Sequence, residues 1–106
     1  MNNLNSVLLE GVVVRKPRKV TTKTGQTYHH FGIDTVNILS RNNSGFASVE
    51  HNEFIIEVAD SIEKQVQTQL QTGQLIRVVG LLKNRAGTVK IRAEHLEIRS
   101  GSASAA

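Results

Sequence analysis

The stretch Val7 to Val20 reads Val-Leu-Leu-Glu-Gly-Val-Val-Val-Arg-Lys-Pro-Arg-Lys-Val, apolar in its first half and basic in its second. Its apolar side chains fall on both parities, Val7, Leu9 and Val13 on one and Leu8, Val12 and Val14 on the other. A strand with one wet face alternates, so this segment is expected to bury parts of both faces, as a strand does when it serves two packed layers. Gly11 has no side chain to pack and permits the sharp bend at which a small barrel turns a corner. Pro17 is expected at the exit of this first strand, where its missing N–H does least harm.

Lys23-Thr-Gly-Gln is a turn signal, with Gly25 supplying the positive φ of a tight turn. After it, His29, Phe31, Ile33 and Thr35 alternate with Tyr28, His30, Gly32 and Asp34. The first set is the more apolar, so the second strand buries Phe31 and Ile33. Polar turn formers dominate Leu39 to Ser48, a loop or flexible hairpin tip that carries Arg41 and Phe46. A third strand runs from about Val49 to Ala59, with Phe54, Ile56 and Val58 on one face and Glu53, Ile55 and Glu57 on the other.

One helix follows. Asp60 can cap it, with Glu63 three residues on in the reciprocal capping arrangement. Ile62, Val66 and Leu70 make one narrow apolar stripe, and Gly73 is placed to end the helix in the left-handed conformation. So thin a stripe suits a plug rather than a layer. The fourth strand, from about Leu75 to Lys83, is again apolar on both parities. Asn84-Arg-Ala-Gly87 is the next turn. The fifth strand places Val89, Ile91 and Ala93 on one parity and then slips to Leu96 and Ile98, which implies a bulge near Glu94 and His95. Ser100-Gly-Ser-Ala-Ser-Ala-Ala has no packing content and is expected to be a flexible tail.

Three strands, one short helix and two strands, with a bent first strand, is the order of an OB-fold: an all-β, five-stranded Greek-key barrel with the helix between strands 3 and 4. Residues 1–99 are expected to form this domain and 100–106 the tail. In that fold, the loops after strands one and four lie beside the face of strands two and three, where oligonucleotides bind.

Charge sharpens this picture. The 106 residues carry a formal net charge of +4 with a pI near 9.9, which favours an anionic partner. From Gly11 to Ile33 lie Arg15, Lys16, Arg18, Lys19 and Lys23 with no acid; from Arg77 to Arg92 lie Arg77, Lys83, Arg85, Lys90 and Arg92 with no acid. Between them, Glu50 to Glu63 carries five acids and no base. The two basic stretches are the ones the fold brings beside the groove, giving a positive face that an acidic one would back. There is no cysteine, which excludes disulfides and thiolate metal sites and fits a reducing compartment. No apolar run approaches the roughly 20 residues of a membrane span, and Met-Asn-Asn-Leu-Asn is not a secretory signal. A cytoplasmic chain is expected.

Catalytic chemistry is not apparent. No glycine-rich phosphate loop stands at a strand-to-helix junction. His29, His30, His51 and His95 lack ligand-like spacing, and Glu50, Glu53 and Glu57 do not converge on one strand face. No enzyme activity, metal or cofactor is expected. Binding a single strand needs cations along the backbone and aromatic faces on which bases stack. The cations are present; the aromatics are Tyr28, Phe31, Phe46 and Phe54 only. Phe31 and Phe54 are placed in the core. Tyr28, opposite in parity to Phe31, and the loop-borne Phe46 stand open between groove and structure.

Asn5-Ser-Val-Leu-Leu-Glu-Gly-Val-Val and Leu70-Gln-Thr-Gly-Gln-Leu-Ile-Arg-Val-Val-Gly-Leu-Leu resemble bacterial single-stranded DNA-binding proteins of the SSB family. Arg15-Lys-Pro-Arg-Lys-Val-Thr, Ser44-Gly-Phe and Val89-Lys-Ile-Arg-Ala-Glu-His-Leu-Glu-Ile are similar to its small replication-restart (primosome) members. The resemblance covers most of residues 5–98. It implies an OB-fold homo-oligomer, dimer or tetramer, that binds single-stranded DNA and works with a restart helicase or other primosome proteins. It places Lys19 at a basic position after strand one and Lys83, Arg85 and Lys90 in a DNA-contacting strand 4–5 loop. The tryptophans that the family stacks on bases fall near Leu39, Glu53 and Gly87, and that of the restart proteins near His51. The acidic, proline-containing tail through which SSB recruits partners has no counterpart here, which favours the restart role. The candidate nucleic-acid contacts are thus Arg15, Lys16, Arg18, Lys19, Lys23, Tyr28, Arg41, Phe46, His51, Lys83, Arg85, Lys90 and Arg92. The rival reading is an adaptor whose groove mainly contacts protein.

Overall fold

A computed structural model describes residues 2–41, 45, 47–59 and 69–99. Five strands, β1 (Val7–Thr21), β2 (Thr27–Arg41), β3 (Ala47–Val58), β4 (Leu75–Arg85) and β5 (Thr88–Ile98), close into a barrel in the order β1-β2-β3-β5-β4. Neighbours run antiparallel except β3 and β5, whose parallel contact is short: Ile56 faces Ile91 and Glu57 faces Arg92. This is the expected all-β OB-fold barrel. The expected helix, with Asp60, Ile62, Glu63 and Val66, lies outside the described residues, as do Phe46 and residues 100–106.

β1 does what its two-parity pattern implies. Val7 to Val12 pairs with β4, and Val12 to Thr21 pairs with β2. The handover falls at Val12, and at Gly11 beside it an added Cβ would lie 2.6 Å from the Asp34 carbonyl oxygen. Only glycine fits so close an approach to the crossing strand. Pro17 differs from expectation: it lies within β1 rather than at its exit. The β1–β2 register slips between Arg15 and Arg18, opposite Gly32 and His30, and an irregularity of this kind is where a strand tolerates a residue without an N–H.

The core is built from Val13 of β1, Phe31 and Ile33 of β2, Ile56 and Val58 of β3, Ile76 and Val78 of β4, and Ile91, Ala93 and Leu96 of β5. The slip in the β5 pattern is a real bulge: Val79 faces His95 and Gly80 faces Ala93, leaving Glu94 as the extra residue. Gly25 and Gly73 take the positive φ expected of them, 86° and 91°. The β4–β5 turn is tight. Arg85 still pairs with Thr88, and the two residues between them, Ala86 and Gly87, both have positive φ, 52° and 80°, the left-handed pair of a two-residue hairpin.

Candidate nucleic-acid interface

Residues directly opposite across an antiparallel pair share a face. Phe31 and Ile33 of β2 point inward opposite Ile56 and Phe54, so the alternate positions form the outer face of the β2–β3 sheet. On β2 these are Tyr28, His30, Gly32, Asp34, Val36 and Ile38; on β3 they are Glu57, Ile55, Glu53, His51 and Val49. β1 borders this face on one side, placing Arg15 opposite Gly32 and Arg18 opposite His30, whereas Lys19 lies opposite His29, on the other parity. The β4–β5 hairpin borders it on the other, through the Glu57–Arg92 contact. Lys83 and Lys90 are directly opposite each other on that hairpin, Arg92 faces Leu81, and Arg85 faces Thr88. All four cations therefore share one side of the hairpin. The two basic stretches border one face from opposite edges.

Glu53 and Glu57 of the acidic stretch do not back this face but lie on it. Three carboxylates lie on the β2–β3 face itself, each matched by a nearby nitrogen group. Glu57 is fully buried although its parity points outward. Arg85 donates from Nε to Oε1 at 2.9 Å and from Nη2 to Oε2 at 3.0 Å. Arg92 donates to Oε2 at 2.8 and 3.1 Å, and His30 Nε2 lies 3.2 Å from Oε1. Burial alone would raise the Glu57 pKa; the hydrogen bonds from Arg85, Arg92 and then His30 outweigh it and bring it from 4.5 to about 2. The carboxylate in turn holds the Arg85 guanidinium above its ordinary value, chiefly through that hydrogen bond.

Tyr28 completes this cluster. Its ring is buried beneath both guanidiniums, 4.2 Å from Arg85 and 5.1 Å from Arg92 to the ring centroid, and its hydroxyl donates to Gln26 Oε1 at 2.9 Å. The two guanidiniums thus lie over the ring in cation–π contact.

Glu53 accepts from the Arg15 Nε, and Asp34 Oδ2 lies 2.8 Å from Nδ1 of the exposed His51. Among the described residues, Lys16, Arg18, Lys19, Lys23, Lys83 and Lys90 have no carboxylate partner. The first four are exposed and the last two half-buried. Lys23 lies in the β1–β2 turn rather than on a strand, and Arg41 closes the β2–β3 ladder opposite Ala47. Sequence reasoning missed Glu57, Glu53, Asp34 and His30 as members of this face. The available signal was parity: Glu57 shares its side of the sheet with Tyr28 and His30, beside a strand rich in arginine.

A model of the single-strand binding protein family matches residues 4–99. The fold is shared with solved structures. One is an SSB of Plasmodium falciparum in complex with single-stranded DNA, 18% identical, with a TM-score of 0.74 over 94% of this chain and 98% of that one. Another is the single-stranded DNA-binding protein of Thermus aquaticus, 23% identical, with a TM-score of 0.72 over 92% of this chain and 51% of that one. A third is PriB of Ralstonia solanacearum, 14% identical, with a TM-score of 0.69 over 92% of this chain and all of that one. No curated protein sequence matches the chain.

Proposed function

The chain belongs to the single-strand binding protein family, and on that premise we propose that it binds single-stranded DNA, without catalysis, along the outer β2–β3 face. One observation carries the reading: Arg15 and Arg18 border that face at one edge and Lys83 and Lys90 at the other, and among the described residues Arg18, Lys83 and Lys90 have no carboxylate partner. Such a surface tracks a phosphate backbone. With Tyr28 covered by guanidiniums, affinity rests on phosphate contacts more than on stacking, so base composition should matter little.

The finer role we propose is cytoplasmic, in DNA replication or its restart, with a restart helicase or other primosome proteins as partners. The similarity of residues 15–21 and 89–98 to the restart proteins supports this. Among the described residues no helix is long and apolar enough to cross a membrane. Self-association through β1 belongs to the same reading. Its outer side exposes Leu8 opposite the half-buried Val79, with Leu81 alongside, an apolar patch suited to a second copy. Light scattering that gives a single chain at tens of micromolar would contradict it.

The test of DNA binding is titration of a labelled oligonucleotide at several salt concentrations, with double-stranded DNA and RNA as comparators. Tight single-strand binding that weakens steeply with salt is expected. The second reading, a protein adaptor, is favoured by the exposed Val36, Ile38 and Val49 beyond the cations on the β2–β3 hairpin. Absence of binding even at low salt would make it the better one.

A further inference from the structure

We propose that Glu53 competes with nucleic-acid phosphate for the Arg15 guanidinium, so that the Arg15–Glu53 bridge is a displaceable strap across the ligand face and Glu53 limits its affinity. The inference rests on the single-strand binding reading and names a residue that tunes it.

The strap is built on a glycine. Arg15 belongs to β1 and Glu53 to β3, and their hydrogen bond spans the intervening β2. It passes over Gly32: a Cβ there would lie 2.9 Å from Glu53 Oε2 and 3.1 Å from Cγ and Cδ of Arg15. Any side chain at this position would therefore press on the bridge. Gly32 stands at the middle of the face, between the buried His30–Glu57 pair and the exposed Asp34–His51 pair. A strand of nucleic acid lying along the face must meet the bridge.

The two arginine–carboxylate pairings on this face differ in the property that decides exchange. Glu57 is fully buried under its arginines, and removing them would strand a charge. Arg15 and Glu53 are 68% and 37% exposed, so either can be solvated when the bond breaks, and exposed pairs of this kind hold weakly. A guanidinium offers carboxylate and phosphate the same fork of N–H donors, so exchange costs Arg15 no geometry. Beside the strap is a cleft of about 80 Å³ lined by Arg15, Arg18, His30, Gly32 and Ile55. Arg18 has no carboxylate partner among the described residues. A phosphate that displaces Glu53 therefore arrives between two guanidiniums.

Glu53→Gln, Arg15→Ala and the double variant test this, titrated with a fluorescent deoxythymidine oligomer across a salt series. Glu97→Gln is the control: it removes the same charge from another exposed arginine pair, Glu97–Arg99, at the far end of β5 beside β4. Glu53→Gln should tighten binding about two- to fivefold, the range that loss of an exposed pair allows. It should also steepen the log–log salt dependence by about 0.7, one further phosphate contact. Arg15→Ala should cost more in the Glu53→Gln background than in the wild type, the coupling expected of two groups in contact. Glu97→Gln should bind as wild type does. If the wild type binds and Glu53→Gln binds no tighter, the strap is overturned and the binding reading stands. Equal tightening by Glu97→Gln, or by Glu53→Gln when Arg15 is absent, would overturn it too, since net charge and not exchange would then be acting. A wild type that binds no single strand at any salt overturns both readings.

Discussion

Replacing Glu57 by Gln keeps the side-chain volume and one oxygen acceptor but leaves two guanidiniums facing an uncharged amide. In the native protein four guanidinium N–H groups converge on this carboxylate, which has no exposure to solvent. Breaking a buried ion pair by removing one partner costs about 3–5 kcal/mol. Arg85 and Arg92 are 22% and 27% exposed, so they can turn toward water, and the loss should fall at the lower end, about 3 kcal/mol. That is a large share of the roughly 5–15 kcal/mol that holds a domain together. Each kcal/mol moves the melting point of a domain this size by about 4–8 °C, so Glu57→Gln should melt about 12–24 °C lower at pH 7. Acid supplies a second readout. The folded-state pKa lies below the unfolded one, so the stabilisation is complete above about 4.5 and is lost as pH falls through about 2. The wild type should shed about 3 kcal/mol across that window through this one group. The variant has no such group, so the two melting points should converge as pH drops from 4.5 toward 2. Thermal unfolding by circular dichroism at pH 7, 4.5, 3 and 2 measures both effects. A drop under about 4 °C at neutral pH, or a gap that stays constant into acid, would refute the reasoning.

Three further outcomes follow from particular contacts. Lys83→Ala with Lys90→Ala should weaken single-strand binding and flatten its salt slope by about 1.4; stability should hold or rise slightly, because two like charges directly opposite across β4 and β5 are relieved. Ala86→Gly or Ala86→Asn should raise stability by about 1 kcal/mol in urea titration, since alanine at φ 52° is strained where glycine and asparagine are not. Gly80→Ala should prevent normal folding, seen as loss of the cooperative melt, because its Cβ would lie 2.0 Å from the Arg92 carbonyl oxygen and 2.9 Å from the Arg92 carbonyl carbon, both backbone atoms of β5.

The barrel was legible in the sequence wherever one residue's position carries a geometric meaning. Apolar residues on both parities of β1, with Gly11 between them, stated that this strand is shared, and the structure divides its pairing at the next residue, Val12. The parity slip after Ala93 stated a bulge, and Glu94 is the residue left over. The candidate site was legible in part. Runs of cations are visible as runs, so the two basic edges could be found. What cancels them was not visible. Arg85 and Arg92 lie 28 and 35 residues from Glu57, and alternation alone placed Glu57 with the solvent-facing set of β3. Its burial is tertiary: the β4–β5 hairpin folds two arginines over it, and no local pattern in β3 records that. For the same reason alanine at Arg85 is not a clean probe of DNA binding, since it removes part of the support of a buried charge.

Pairing, rather than the number of cations, should therefore fix how steeply binding depends on salt. Ten of the candidate contacts are lysine or arginine. If each met a phosphate, the log–log slope per chain would be about −7. Arg85 and Arg92 are committed to a buried carboxylate and cannot leave it without stranding its charge. Arg15 can leave Glu53, but the carboxylate it abandons takes up a cation from solution, which offsets the one that the phosphate releases. The cations whose side chains are described and unpaired are Lys16, Arg18, Lys19, Lys23, Lys83 and Lys90. Together they give a slope of about −4, and Arg41 would add at most about −0.7. Titration with an oligomer short enough to occupy one chain distinguishes the two values. A slope near −7 would mean that the arginines over Glu57 do turn outward to phosphate, and that the cluster is a store of contacts rather than a fixed support for the face.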